Sequence, residues 1–439
     1  MQIFIFVMII MLFVLFKDGV KNIEFTNIDY MIDIKNYNWL YIIKGLIISI
    51  TVSLLVLIAL YFIFNEKYRH LKNRQKIARM MMSNKFYDED SVTVNKLNGG
   101  TKQKRVITYF PKVFYKKNGA YIEIRFSLDM SRYQKRFMNL SDELENGLFC
   151  TVTDKIGEED YICYELMYDV EKQRINIDDV EVENGKMKLM KHIFWEFDSQ
   201  PHMLISGGTG SGKTFFILTI INALVDYRAE LKILDPKNAD LADLEEITPE
   251  KTVYSQKNGI KMSLNKARKE MEKRSEDMKF MSNYKTGSNY ADVGMKPYFV
   301  VFDEYVAFLE MLNHKEKAEV LEDMKQLTML GRQSGVFLIL ANQRPDAKYL
   351  SDGIRDQFNF RVALGRNSAA GYNMMFGDVD NNFVNKKTKG RGYLDSGDSI
   401  ITEFYTPLVP KGYNFQNEIE KSYRKRRVAV DATASSDSG

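Results

Sequence analysis

The stretch Met203-Leu-Ile-Ser-Gly-Gly-Thr-Gly-Ser-Gly-Lys-Thr214 decides the fold of this chain. The apolar run from Met203 to Ile205 predicts a strand, and the apolar periodicity from Phe215 to Leu224 predicts a helix. The spacing Gly207-x4-Gly212-Lys213-Thr214 between them matches the nucleotide-binding phosphate loop in full. Glycines let consecutive backbone N–H groups wrap an anion, and the helix N-terminus adds the positive end of its dipole. The alternative, a glycine-rich turn that binds nothing, is disfavoured by the complete pattern in a strand–loop–helix context.

The loop supplies the predicted nucleotide-binding residues. Lys213 would reach the β- and γ-phosphates, and the hydroxyl of Thr214 would bind Mg²⁺. The residues expected to hold the nucleotide are Gly207, Gly208, Thr209, Gly210, Ser211, Gly212, Lys213 and Thr214.

Polar residues at the ends of two later apolar runs complete the predicted site. Tyr298-Phe-Val-Val-Phe-Asp303-Glu304 is an apolar strand that ends in adjacent carboxylates. Asp303 would hold Mg²⁺ through water, and Glu304 would act as general base on the attacking water. The strand from Val336 to Ala341 is followed by Gln343, which we interpret as the sensor of the γ-phosphate, with a plain turn residue as the alternative.

The rest of this region alternates predicted strands with predicted helices, which favours an α/β fold with a mostly parallel sheet. The nucleotide would then lie at the carboxyl ends of the strands. The further predicted elements are a strand at Leu231–Asp235, helices at Asp240–Glu246, 263–281 and Tyr305–Leu330, and a strand at Phe360–Leu364.

Two uncharged runs near the N-terminus predict a membrane anchor. Residues 1–16 and 45–64 carry no charge, and 20 residues of helix span a hydrocarbon core of about 30 Å. Six Lys and Arg residues follow in 65–79, whereas the three lysines of 17–38 are offset by acids. The positive-inside rule therefore predicts a multi-pass protein of the cell membrane with everything after residue 64 in the cytoplasm. A cleaved signal peptide and a buried soluble hairpin are the alternatives.

The 439 residues are enough for two or three domains, and the net charge of +4 says little about partners. Two isolated cysteines and four scattered histidines indicate neither a disulfide framework nor a metal site. Alternating runs between residues 101 and 189 predict a small α+β domain with no visible catalytic constellation. The predicted segments are transmembrane helix 1 at 1–16, an extracytoplasmic loop at 17–38, transmembrane helix 2 at 39–64, a basic juxtamembrane segment and linker at 65–100, the small α+β domain at 101–189, the ATPase motor at 190–412, and a basic, partly disordered tail at 413–439.

Several blocks together resemble the FtsK/SpoIIIE-type DNA translocases. They are Pro201–Thr214, Asp235-Pro-Lys237, Met271-Glu-Lys-Arg274, Phe302-Asp-Glu304, Arg332-Gln-Ser-Gly335, Gln343-Arg-Pro345 and Gly390-Arg-Gly392. The predicted anchor, the short middle domain and Glu304-Tyr-Val-Ala-Phe308 are similar to the FtsK-like coupling ATPases of Gram-positive conjugative elements.

This resemblance implies a RecA-like motor that uses ATP with Mg²⁺ and works as a homo-hexameric ring on double-stranded DNA. It also implies that an arginine reaches the site of the next subunit, a role that falls to Arg332, with Arg361 and Arg366 as rivals and a surface salt bridge as the plain alternative for each. Relaxase and transfer-channel proteins are the implied partners, and the membrane is the implied location.

Three other functions are weighed against the conjugative translocase. A chromosome-partition translocase is disfavoured because about 27 residues follow Gly412, too few for a winged-helix domain. A protein-secretion ATPase is disfavoured because such proteins usually string several ATPase modules together, and one phosphate loop is visible. A GTPase switch is disfavoured because Asn385-Lys-Lys-Thr388 fails the Asn-Lys-x-Asp base-reading pattern at its last position.

Overall fold

The computed structural model describes residues 39–95, 101–344, 350, 352–378, 383–384, 388–397 and 400–436. The chain divides into two compact units, Met1–Pro111 and Lys112–Gly439.

A single long helix dominates the described part of the first unit. Helix α1 (Trp39–Ser83) contains one candidate membrane span, Ile43–Phe62, whose 20 residues are mostly apolar and mostly exposed. The helix continues through the basic segment that begins at residue 65, so the predicted juxtamembrane segment starts as helix. The first predicted span, 1–16, and the loop 17–38 lie outside the described residues, and a multi-pass topology is therefore not supported.

The predicted linker after this helix contains a strand. Strands β1 (Asp88–Asn95) and β2 (Thr101–Tyr109) form an antiparallel pair. Their charges are complementary, since Arg105 Nη1 lies 3.2 Å from Glu89 Oε1. The sequence between residues 80 and 100 looked like a linker because β1 is acidic and polar, and only pairing with the basic β2 makes it a strand.

The second unit begins with a small α+β body. Its four-stranded antiparallel sheet has the order β3-β4-β6-β5, and the sequence between β4 and β5 folds into two short helices. Alternation buries Ile122, Ile124 and Phe126 on one face of β4. The elements are β3 (Val113–Asn118), β4 (Tyr121–Ser127), α2 (Gln134–Phe137), α3 (Ser141–Leu148), β5 (Thr151–Gly157) and β6 (Tyr161–Met167).

The link to the predicted motor contains two 3₁₀ turns, Val170–Gln173 and Ile177–Asp179. A three-stranded antiparallel sheet follows, in the order β7-β8-β9. Its strands are β7 (Val182–Glu183), β8 (Lys186–Met190) and β9 (Ile193–Glu196).

The motor is built on an eight-stranded sheet within the described part of the chain, in the order β12-β11-β13-β14-β10-β15-β16-β17. The strands from β12 to β15 are parallel, and β16 and β17 continue the sheet antiparallel. Every residue of β10, β13 and β14 is buried, as expected for strands covered on both faces. This is the P-loop ATPase-like α/β fold that the sequence predicts. The elements are β10 (Met203–Gly207), α4 (Lys213–Asp226), β11 (Glu230–Leu234), β12 (Val253–Tyr254), α5 (Lys257–Asp277), β13 (Tyr298–Phe302), α6 (Tyr305–Glu310), α7 (His314–Ser334), β14 (Val336–Asn342), α8 (Asp352–Arg355), β15 (Phe360–Leu364), α9 (Ala369–Phe376), β16 (Arg391–Asp395), β17 (Ile401–Tyr405) and α10 (Phe415–Ser436).

Two helix predictions differ from the structure. The long helix expected at Tyr305–Leu330 is two helices, because Asn313 begins a new one: its side chain accepts the Glu316 N–H at 2.9 Å, and the Glu316 carboxylate accepts the Asn313 N–H at 3.2 Å. The helix expected at Asp240–Glu246 is a 3₁₀ turn over Ala242–Glu246.

The predicted tail also folds in part. Helix α10 runs to Ser436, although residues from 429 onward read as disordered in sequence. Phe415, Ile419 and Tyr423 recur at a spacing of four and are buried in the motor's hydrophobic core. That apolar stripe stabilises a helix whose residues between the three apolar positions are mostly polar or charged.

Candidate functional site

The phosphate loop joins the end of β10 to the start of α4. Gly210 and Gly212 have φ angles of 78° and 100°, which favour glycine. A Cβ on Gly212 would also lie 3.2 Å from the Cα of Gly390. The glycines that the pattern requires are therefore required here by backbone conformation and by close packing.

The two predicted carboxylates meet the loop lysine. Lys213 Nζ donates to Asp303 Oδ1 and, at 2.8 Å, to Glu304 Oε1. All three residues are buried. Burial raises the pKa of Asp303, and Lys213 opposes that rise by favouring the charged carboxylate. This geometry places one cation between two acids at the carboxyl edge of the sheet.

Glu304 also has an unusual backbone. Its φ of 49° lies in the left-handed region, at the residue that precedes α6. Its N–H donates to Asp303 Oδ1 at 3.0 Å. A non-glycine residue held in this region stores strain of about 1–3 kcal/mol and is frequently found at functional sites.

A second lysine approaches Glu304, and its role was not foreseen from sequence. Lys237 Nζ lies 3.4 Å from Glu304 Oε2. Its loop is fixed by the buried Asp235 carboxylate, which accepts N–H bonds from Lys237 at 3.1 Å, Ala239 at 2.8 Å and Ala242 at 3.2 Å. The signal in the sequence was Asp235-Pro-Lys237 directly after a strand, because β11 is the neighbour of β13.

Gln343 follows β14 and lines the same cavity as the loop and both carboxylates. The cavity measures about 590 Å³. Its wall on the other side of β10 was not predicted as part of the site; it is formed by Phe215 and by Arg174, Lys389, Gly390, Thr406, Pro407, Leu408 and Val409.

Gly390 supports the phosphate loop from outside. Its N–H donates to the Ser211 carbonyl at 2.9 Å, and its carbonyl accepts the Thr406 N–H at 2.8 Å. A Cβ at this position would lie 2.3 Å from Thr406 Oγ1, and the φ of 76° also favours glycine. The next residue, Arg391, is buried and pairs with Glu403 at 2.9 Å. The Gly390-Arg-Gly392 block is therefore a support for the loop.

The structure does not bring Arg332 to this cavity. Arg332 lies in the last turn of α7, just before β14 begins at the amino edge of the sheet, and its Nε donates to the Asp198 carbonyl at 3.0 Å. Of its rivals, Arg361 is committed to the carbonyls of Phe358, Met375 and Arg355.

Arg366 is different from both. It is exposed and follows β15 at the carboxyl edge, the edge that also carries the phosphate loop. Which arginine reaches a neighbouring site stays a prediction.

The chain is 52% identical over 423 residues to the FtsK domain-containing protein YdcQ of Bacillus subtilis, covering 96% of this chain and 87% of that protein. The chain belongs to the FtsK/SpoIIIE family. The sequence profile of that family matches residues 167–347, which include the phosphate loop, both carboxylates and Gln343.

More distant family members are longer than this chain. The DNA translocase FtsK of Corynebacterium efficiens is 28% identical over 216 residues, 44% of this chain and 22% of that protein. The ESX secretion system protein YukB of Bacillus subtilis is 26% identical over 243 residues, 50% of this chain and 16% of that protein. A solved structure of the pCW3 conjugation coupling protein TcpA, in its monomer form with ATPγS, aligns with 71% of this chain and 93% of that chain at 20% identity and a TM-score of 0.49.

Proposed function

We propose that this protein is a membrane-anchored, ATP-driven DNA translocase that acts as a coupling ATPase in conjugative DNA transfer. The observation that carries the proposal is the meeting of the phosphate loop, Asp303, Glu304 and Gln343 in one cavity of about 590 Å³. Membership of the FtsK/SpoIIIE family supports DNA as the substrate. The apolar span Ile43–Phe62 supports the anchor, and the resemblance of Glu304–Phe308 to conjugative coupling ATPases supports the role.

The residues divide the chemistry of ATP hydrolysis among them. Lys213 binds the β- and γ-phosphates, while the Glu304 carboxylate accepts the proton of the water that attacks the γ-phosphorus. Gln343, directly after β14, would hydrogen-bond to the γ-phosphate through its side-chain amide. Lys213 must divide its three N–H donors between phosphates and carboxylates, so Lys237 supplies Glu304 with a second cation.

Thr214 and Asp303 would hold Mg²⁺. A hydroxyl and a carboxylate are the hard oxygen donors that this ion prefers. Burial raises the pKa of Asp303 even beside Lys213, so a further cation there stabilises the charged carboxylate. When bound, the ion neutralises phosphate charge.

The working unit that we propose is a homo-hexameric ring. Within one chain the cavity holds Lys213 and Lys237 beside Glu304 but not Arg332. An arginine from the next subunit would add positive charge where phosphate charge develops. Arg332 and Arg366 are the candidates whose side chains are exposed.

The test is ATP turnover by the full chain in lipid nanodiscs, with linear double-stranded DNA, single-stranded DNA or no DNA. We expect double-stranded DNA to raise turnover, and we expect ATP-dependent displacement of a triplex-forming oligonucleotide from that DNA. Lys213→Ala should abolish both activities. In mating assays, a donor carrying Glu304→Gln should transfer its element at the frequency of a deletion.

The second candidate function is a protein-secretion ATPase, favoured by the 26% identity to YukB. It predicts that a secreted substrate protein raises turnover and that DNA does not. That result would overturn the translocase proposal. If double-stranded DNA raises ATP turnover but the Glu304→Gln donor transfers its element normally, the translocase proposal is retained and the role in conjugation is rejected.

A further inference from the structure

One cation in the cavity belongs to the link between the small domain and the motor. Arg174 follows the 3₁₀ turn Val170–Gln173 and lines the same cavity as the phosphate loop. Its Nε donates to the Thr406 carbonyl at 2.6 Å. Within the described residues, Arg174 forms no ion pair with a carboxylate.

The backbone around Arg174 is fixed to the cavity wall. The Leu408 N–H donates to the Ile175 carbonyl at 2.8 Å, and the Ile177 N–H donates to the Leu408 carbonyl at 3.0 Å. Arg174 itself bridges to Met190 in antiparallel fashion. The guanidinium is therefore held in position before any ligand arrives, which lowers the entropic cost of binding.

The terminal nitrogens of Arg174 approach the phosphate loop across a glycine. Nη2 lies 3.0 Å from the point that a Cβ on Gly390 would occupy, and the Cα of Gly390 lies 3.2 Å from the corresponding point on Gly212. Two positions without side chains thus separate the guanidinium from the end of the loop. Arg174 is half-buried, and burial lowers its pKa, so an anionic partner there would compensate a partly desolvated charge.

The sheet order decides which part of the nucleotide Arg174 faces. Lys237 and Glu304 follow β11 and β13 on one side of β10, whereas Gly390 and Thr406 flank β16 and β17 on the other. The γ-phosphate lies toward Glu304 if that residue activates water, so the remainder of the nucleotide extends toward Arg174.

We propose that Arg174 binds the α-phosphate of the nucleotide and thereby sets the affinity for ATP and ADP alike. This inference rests on the proposed function, since it requires a nucleoside triphosphate in the cavity. Its planar guanidinium can offer two parallel N–H donors to phosphate oxygens. Because the contact is common to substrate and product, it acts on binding and leaves the chemical step unchanged.

The experiment compares Arg174→Ala, Arg174→Lys and the matched control Lys172→Ala in the full chain. Lys172 is an exposed cation two residues away that pairs with Asp169 at 3.0 Å. We expect Arg174→Ala to raise the Kd for ATP and for ADP by a similar factor of about tenfold, as the loss of a charged hydrogen bond implies, with kcat at saturating ATP kept. Arg174→Lys should lose less affinity, and Lys172→Ala none.

A sulfur-substituted ligand tests the phosphate contact directly. Replacing a non-bridging α-oxygen of ADP by sulfur should weaken binding to the wild type and have a smaller effect on Arg174→Ala. If Arg174→Ala loses affinity for ATP but not for GTP, the proposal is overturned in favour of a contact with the base. If Arg174→Ala keeps the wild-type affinity for both ATP and ADP, the proposal is also overturned.

Thermal unfolding without nucleotide separates contact from fold. If Arg174→Ala unfolds at a lower temperature than the wild type, its affinity for nucleotide is not used. The affinity of Arg174→Lys is then measured, provided that this variant unfolds at the wild-type temperature. Wild-type affinity for nucleotide in Arg174→Lys would overturn the proposal. Failure of the wild type to hydrolyse ATP would overturn the proposed function itself. If the wild type hydrolyses ATP but Arg174→Ala keeps the wild-type affinity for nucleotide, only this inference is overturned.

Discussion

The two edges of the motor sheet bury polar groups in opposite ways. At the carboxyl edge, Lys213, Asp303 and Glu304 are charged groups that meet around a cavity. At the amino edge, His202 is fully buried and both its ring nitrogens are bonded: the Leu338 N–H donates to Nδ1 at 3.0 Å, and Nε2 donates to the Thr328 carbonyl at 3.0 Å.

This difference between the two edges separates groups that take part in the proposed reaction from groups that stabilise the fold. The carboxyl edge carries charges whose partners can be exchanged for a phosphate, and such a site costs stability. The amino edge carries His202, whose two ring nitrogens are both hydrogen-bonded within the fold, and this residue ties α7 and β14 to the start of β10. We therefore expect substitutions at the first edge to change turnover and those at the second to change unfolding.

The largest expected effect is that of Glu304→Gln. Loss of the general base should lower kcat by about 10²–10⁴-fold, the usual contribution of acid–base catalysis. The free energy of unfolding should change little, because Lys213 keeps Asp303 as a partner. Phosphate release measures the first. Fluorescence of the buried Trp195 in a Trp39→Phe background measures the second, since the chain has these two tryptophans. If Glu304→Gln lowers the free energy of unfolding by as much as it raises the barrier to turnover, the two edges do not differ in the way proposed.

The next effect is a pH dependence set by His202. Burial lowers its pKa from 6.5 to about 4, so the unfolded chain binds a proton in this interval and the folded chain does not. This contribution to stability is complete above pH 6.5 and is lost as the pH falls toward 4, by about 3 kcal/mol from the size of the shift.

The free energy of unfolding is measured as a function of pH, and the effect of His202 must be separated from that of Glu145. Burial raises the pKa of Glu145 to about 7, and this shift stabilises the fold as the pH falls from 7 toward 4.5. The difference in pH slope between the wild type and His202→Phe isolates the histidine. Identical slopes would show that His202 does not titrate as its burial requires.

A third effect concerns Lys237. Lys237→Ala should lower kcat by roughly tenfold, about 1.4 kcal/mol in the barrier, because Glu304 loses its second cation and is less well oriented. The exposed Lys269→Ala on α5 is the matched control and should behave as wild type. Full activity in Lys237→Ala would mean that Lys237 does not contribute to turnover, and that Lys213 and the two carboxylates act without it.

The smallest expected effect is at Tyr290. Its hydroxyl donates to Asp198 Oδ1 at 2.5 Å, and burial raises the pKa of that carboxyl. Tyr290→Phe should cost about 1–2 kcal/mol of unfolding free energy by leaving Asp198 without this donor, and kcat should stay unchanged. A loss of turnover at normal stability would mean that the amino edge also takes part in the reaction.

The sequence predicted the elements whose signals are local. The phosphate loop, the strand before Asp303 and the strand before Gln343 each carry their pattern in a few adjacent residues, and the structure places all three at one edge. The signal for the break at Asn313 is also local, but the helical periodicity on both sides of it masks the capping box with Glu316.

What the sequence did not predict depends on long-range contacts. Lys237 reaches Glu304 across 67 positions of sequence because β11 and β13 are neighbours. Arg174 meets Thr406 only because the link before the motor lies against the strand that ends it. Strand order brings such pairs together, and no single window of sequence contains it.

The C-terminal helix has a mechanical consequence. The Phe415 ring lies 5.7 Å from the ring of Phe215, which directly follows Thr214 in the phosphate loop helix, and Ile419 and Tyr423 continue that packing in the same core. α10 therefore packs along the helix whose first turn is predicted to hold the phosphates. Because the tilted pair of Phe215 and Phe415 rings joins the two helices directly after Thr214, we expect a force applied to α10 to reach the phosphate loop, and we expect occupancy of the site to change how α10 resists that force.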